Sequence, residues 1–138
     1  GQPPAAVARI ASGGELSRIS LAIQVAAKTE RPIPVMVFDE VDSGVGGGVA
    51  EIVGRRLAEL GTRAQVLCVT HLPQVASQAS QHLRVVKLTD GETTRTTLKK
   101  LTEAEKVEEL ARMLGGVEIT ATTRAHAREM RKRAGRAE

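Results

Sequence analysis

Aromatic residues are almost absent from this 138-residue chain: Phe38 is the only one, and there is neither Trp nor Tyr. A surface that stacks unpaired bases on aromatic rings is thereby excluded. Cys68 is the single cysteine, which rules out an internal disulfide framework and Cys-based zinc sites and fits a reducing compartment. Cys68 itself reads as a small buried hydrophobe. No run approaches the roughly 18 apolar residues of a membrane-spanning helix, and the N-terminus lacks the basic-then-apolar plan of a signal peptide, so a soluble, cytoplasmic chain with no membrane partner is expected. None of the 13 glycines is followed by lysine, which leaves the chain without a Gly-Lys-Ser/Thr phosphate loop. The glycines from Gly44 to Gly48 miss the dinucleotide fingerprint as well, because Val49 and Glu51 stand where a third glycine is needed.

Against these absences, 41% hydrophobic and 26% charged residues make a globular balance, and the length suits about one domain. The net charge is +4, and residues 124 to 138 carry six basic and two acidic side chains, so the whole excess sits in the last segment. A solvated basic helix over 120–138 is the simple reading of that tail, and phosphate contact is the alternative.

Residues 1–10 open on Gly-Gln-Pro-Pro and read as a loop, with something upstream expected to be missing. Leu16, Ile19, Ile23 and Ala26 then fall at helical spacing, which predicts an amphipathic helix from Gly13 to about Lys28. Ser12 is placed to cap it, and Glu15, three residues on, completes a capping box. Val35-Met36-Val37-Phe38 is an apolar run without alternation, as expected of a central parallel strand covered on both faces. The glycine-rich turn from Gly44 leads to a second helical stripe (Val49, Ile52, Val53, Leu57, Leu60) that stops near Gly61, and Gln65–Val69 reads as a second buried strand. Strand, helix and strand over about 30 residues is the size of a βαβ unit, so the two strands are expected to be parallel neighbours. A third helix is predicted over Pro73–Ala79 and a hairpin around Asp90-Gly91. Thr102 with Glu105 caps a helix ended by Gly115-Gly116, and an Arg- and Ala-rich helix follows from about Thr122.

In an open α/β sheet ligands bind beyond the carboxyl ends of the strands. Asp39 and Glu40 end the first strand, and Thr70 and His71 end the second. One carboxylate there can orient a hydrated magnesium ion while its neighbour polarises a water, and His71 can reach a terminal phosphate. A lone Asp-Glu pair at a strand end is also the ordinary form of a solvated terminus. Ser12, Gly13 and Gly14 start a helix with open backbone N–H groups and make an anion site, for which a simple capped helix is the alternative. His82 and His126 have no metal-ligand spacing with His71 and read as structural or surface residues.

Taken in order, these pieces resemble the C-terminal half of an ABC-type ATPase head. Ala11-Ser12-Gly13-Gly14-Glu15 resembles the signature motif, Val35 to Glu40 a Walker B strand with its following glutamate, Ser43 to Gly46 the D-loop, and His71 the switch histidine. The runs Phe38-Asp39-Glu40-Val41-Asp42-Ser43-Gly44-Val45-Gly46-Gly47, Thr70-His71-Leu72-Pro73-Gln74-Val75-Ala76 and Ala111-Arg112-Met113-Leu114-Gly115-Gly116 are similar to those of the RecN family, bacterial SMC-like ATPases of DNA double-strand-break repair. Ala11 in place of the signature leucine and Gly46 in place of the usual D-loop aspartate depart from the general ABC pattern and resemble that family's usage.

The resemblance implies an α/β lobe of a P-loop head over 1–138, mainly parallel sheet flanked by helices, with a β-hairpin and two C-terminal helices. It implies a missing N-terminal lobe carrying the phosphate loop, joined through a long coiled coil, and a cytoplasmic, nucleoid-associated bacterial protein that acts on DNA. The cofactors implied are ATP and Mg2+, held between two heads of an ATP-dependent homodimer. Asp39 would hold magnesium through water, Glu40 would be the general base and His71 would steady the γ-phosphate. Ser12, Gly13, Gly14 and Glu15 would meet the nucleotide of the opposite head, with Asp42, Ser43 and Gly44 in the D-loop region. Without its other lobe the chain is expected to be inactive. A head of another SMC or ABC-type ATPase and a basic-tail DNA-binding module are the competing readings.

Overall fold

The computed structural model of the chain describes residues 12–27, 33–91, 93–116 and 118–135. The expected loop over 1–10, Ala11 of the signature, Lys28 at the predicted helix end and residues 136–138 of the basic tail lie outside the described residues. The chain divides into two compact units, one up to Val75 and one from Ala76.

The first unit contains α1 (Gly13–Ala26), β1 (Val35–Phe38), α2 (Gly47–Leu60) and β2 (Gln65–Cys68). β1 and β2 are hydrogen-bonded neighbours and parallel, in register from Val35 opposite Gln65 to Phe38 opposite Cys68, as the spacing predicts. Buried Leu21, Phe38, Val41, Ala50, Val53, Leu57, Leu60 and Val75 form its core. Period-2 alternation sends Met36, Phe38, Val66 and Cys68 to the covered face of the sheet.

The expectation of strands covered on both faces is not met. Val37 is 68% exposed, and Val35 and Leu67 on the same face are exposed with it. An unbroken aliphatic run marks positions fit for burial on either side, but among the described residues of this unit only one face of the sheet is covered. The α1 stripe behaves likewise: Leu16, Ile19 and Ile23 are exposed, while Gly14 and Leu21 are the buried positions. The face of α1 that turns inward carries Gly14, Ser17, Arg18 and Leu21 because it meets a polar turn, as described below, and needs donors and small size there.

The one-turn helix α3 (Pro73–Ala76) is shorter than the predicted Pro73–Ala79. The second unit continues with the antiparallel hairpin of β3 (Leu83–Asp90) and β4 (Thr93–Lys100), then α4 (Glu103–Gly115) and α5 (Ala121–Ala134). Gly91 turns the hairpin at φ 58°. The Thr102–Glu105 capping box is present at the start of α4, and Gly116, at φ 63°, ends it. Leu110, Ala111, Ala127 and Ala76 form a small core, supplemented by charge-assisted bonds. The Nζ of buried Lys106 donates to Ser80 O and Glu103 Oε1, each at 2.6 Å. Arg131 donates to Ser77 O, Ala79 O and Glu103 Oε2. Arg124 pairs with Glu108 and Arg133 with Glu129. Three arginines of the basic tail are therefore engaged with carboxylates of their own unit, which favours the solvated-helix reading over a phosphate surface.

Candidate functional site

Three segments of the first unit meet beyond the carboxyl ends of β1 and β2: the first turns of α1, the turn that follows β1, and the loop that follows β2. The helix start is built as the sequence predicts. Ser12 N donates to Glu15 Oε2 at 2.7 Å, and Glu15 N donates to Ser12 Oγ at 3.3 Å. The Ser12 backbone N–H, helped by its hydroxyl, holds the Glu15 carboxyl below the usual carboxylate range.

The 39–43 turn is fastened to α1 by donors from the next helical turn. Ser17 Oγ donates to Asp39 O at 2.7 Å, and Arg18 Nη1 donates to Ser43 O at 2.7 Å and to Val41 O at 3.3 Å. Within the turn, Glu40 N donates to Asp39 Oδ1 and Ser43 N to Glu40 O, both at 2.9 Å. Glu40 is the one non-glycine residue with positive φ among the described residues, at 56°. A glutamate held in the left-handed region carries backbone strain, which is characteristic of functional sites. Gly14 makes the close approach possible: a Cβ there would lie 2.9 Å from both Glu40 O and Ser43 Cβ. A Cβ on Gly13 would meet Glu40 Oε2 at 2.6 Å, so the Glu40 carboxylate rests beside the start of α1.

Asp39, Glu40, Ser43 and Gly44 are exposed, as are Ser12, Gly13 and Glu15. Asp42, expected with Ser43 and Gly44 among the nucleotide-binding residues of the D-loop region, instead points the other way and is only 2% exposed, because its carboxylate is taken up by the loop after β2. Its Oδ2 accepts from Thr70 Oγ1 at 2.5 Å, from His71 N at 3.1 Å and from Leu72 N at 3.4 Å. The same oxygen faces His71 Nδ1 at 3.4 Å, while the His71 side chain is 72% exposed. Thr70 Oγ1 in turn accepts from Leu72 N at 3.1 Å. Cys68, half-buried next to this cluster, has its thiol pushed up to about 12, chiefly by burial and then by the charges of Asp42 and Asp39; it is an inert hydrophobe, as its composition context suggests.

The geometry thus gathers Asp39, Glu40 and His71 around the ends of two adjacent parallel strands and sets Ser12 to Glu15 against the same turn. The exposed carboxylates of Asp39 and Glu40 are a donor set suited to a hydrated divalent cation and a water. Sequence reasoning assigned no role to Ser17 or Arg18 and placed Thr70 only as a polar end of the second strand. Arg18 could have been found from its spacing, because a residue four positions after Gly14 shares its helix face. Which of Asp39, Glu40 and Asp42 is buried carries no comparable signal.

Comparison with known proteins gives three findings. The RecF/RecN/SMC N-terminal domain family matches residues 9–94. The chain is 54% identical over 127 residues to the DNA repair protein RecN of Xylella fastidiosa (strain 9a5c), covering 92% of this chain and 23% of that protein. It is 53% identical over 130 residues to RecN of Haemophilus influenzae (94% and 23%) and 46% identical over 135 residues to RecN of Bacillus subtilis (97% and 23%). The chain therefore spans about a quarter of the length of these curated relatives. Among solved structures, one from work on the "structural biochemistry of ATP-driven dimerization and DNA stimulated activation of SMC ATPases" aligns with a TM-score of 0.51 at 22% identity, covering 75% of this chain and 63% of that one. The shared fold is the α/β lobe expected from the sequence. Among the described residues, no helix is long and apolar enough to cross a membrane.

Proposed function

The chain belongs to the RecF/RecN/SMC N-terminal domain family, and on that premise we propose that it is the C-terminal half of an ATPase head of a RecN-like DNA repair protein, cytoplasmic and nucleoid-associated. The observation that carries this reading is the convergence of the α1 start, the 39–44 turn and His71 at one edge of a parallel strand pair. The exposed sheet face of Val35, Val37 and Leu67 supports a missing N-terminal lobe, which would cover that face and bring the phosphate loop this chain lacks.

In the proposed site Asp39 would hold Mg2+ through water. Glu40 would accept the proton of the attacking water, His71 would contact the γ-phosphate, and Ser12, Gly13, Gly14 and Glu15 would face the nucleotide bound by a second head, next to Ser43 and Gly44. Bound Mg-ATP would supply the phosphoryl group and the metal's charge. What these side chains contribute is positioning and charge stabilisation, the main sources of catalysis in phosphoryl transfer.

The test is ATP-dependent sedimentation of the complete head, this lobe joined to its N-terminal partner. Glu40→Gln keeps size and hydrogen bonding but removes the base, so hydrolysis should fall by about 10² or more while ATP-bound dimers accumulate. Ser12→Arg places a bulky cation where the opposite nucleotide is met, so the heads should bind ATP and stay monomeric. The same association state for both variants with ATP would overturn the composite site.

A further inference from the structure

We propose that Asp42 is a positioning residue for His71: its buried carboxylate fixes the loop after β2 and sets which imidazole nitrogen carries the proton. This rests on the reading of His71 as a phosphate contact but adds a residue whose side chain touches no nucleotide. One oxygen of Asp42 gathers the Thr70 hydroxyl, the His71 and Leu72 backbone N–H groups and the Nδ1 edge of the His71 ring. A carboxylate with 2% exposure is retained only where several donors compensate its lost hydration. Here all of those donors come from the Thr70–Leu72 segment, so the carboxylate is directed at this loop.

The consequence for the ring follows from histidine chemistry. The partner of one ring nitrogen decides the tautomer and thereby the role of the other. Asp42 Oδ2, which accepts from three other donors, lies 3.4 Å from His71 Nδ1, and this proximity favours the proton on Nδ1 and leaves Nε2 for the exposed edge of the ring. In the imidazolium form Nε2–H is then the donor free to meet a phosphate oxygen, while Nδ1–H stays with Asp42. Asp42 also belongs to the turn that Ser17 and Arg18 fasten to α1. The ring is thereby referenced to the same turn that carries Asp39 and Glu40.

The experiment is long-range proton–nitrogen NMR of the 15N-histidine-labelled chain, without nucleotide, which reads for each of its three histidines which ring nitrogen of the neutral imidazole carries the proton. His71→Gln assigns the signal. The expected result is the Nδ1–H tautomer for His71 in the wild type and a shift toward Nε2–H in Asp42→Ala, which removes the acceptor, with the signals of His82 and His126 unmoved. A wild-type His71 in the Nε2–H form, or a tautomer unchanged by Asp42→Ala in a folded chain, would overturn the proposal. If Asp42→Ala fails to fold, the wild-type spectrum alone decides. Because this readout uses no ATP, its failure is separable from failure of the head reading, which sedimentation decides.

Discussion

Gly14 and Glu40 are packed backbone to backbone, so closely that a methyl group on Gly14 would lie 2.9 Å from the Glu40 carbonyl oxygen. Glycine at this point of α1 is therefore a requirement of the turn after β1 and not only of a ligand. Gly13 differs: a methyl there would meet only the mobile end of the Glu40 side chain.

The two glycines should separate on substitution. Gly14→Ala should destabilise the chain by about 1–3 kcal/mol through overpacking, more than the gain of up to about 1 kcal/mol from replacing a helical glycine. Gly13→Ala should stay within about 0.5 kcal/mol of wild type, because Glu40 can swing away. Urea midpoints at unchanged slope measure both.

Relief of strain at Glu40 should raise stability at the expense of activity. Glu40→Gly removes the penalty of the φ 56° conformation and should stabilise the chain by up to about 1 kcal/mol in denaturant titration, while the complete head loses hydrolysis. Loss of stability in Glu40→Gly would mean that the side chain contributes more than its backbone costs.

Acid should act on the second unit through Glu105. Its carboxyl is pulled down to about 2, first by the bond from Lys99 and then by the Thr102 backbone N–H and hydroxyl. A carboxyl lowered by folding contributes stability that is fully present above its unfolded value of 4.5 and is lost as pH falls from there toward about 2. Lys99→Met removes the largest cause, so Glu105 should titrate nearer its ordinary value by carboxyl carbon NMR, and the acid loss of thermal stability in this window should become shallower.

The chain by itself should not bind Mg-ATP measurably in titration calorimetry, because most contacts to a nucleotide's phosphates come from a phosphate loop it does not contain. Micromolar affinity would contradict the half-head reading.

Local signals carried much of this molecule. Both capping boxes, at Ser12–Glu15 and Thr102–Glu105, form as read from spacing, because a cap is a contact among four consecutive residues. The parallel pairing of β1 and β2 followed from the length of the crossover. The site segments were legible as motifs because strand ends and helix starts are sequence-local features. The direction in which α1 faces was not: its aliphatic stripe predicts one face, whereas Gly14, Ser17 and Arg18 turn inward because the 39–43 turn presents carbonyls that only donors and a glycine can meet. Nor could the sequence choose among three carboxylates in a stretch of four residues. Asp39 and Glu40 face solvent and Asp42 is buried, a choice made by the Thr70–Leu72 loop, which lies 28 to 30 positions away along the chain and reaches Asp42 only once β1 and β2 pair.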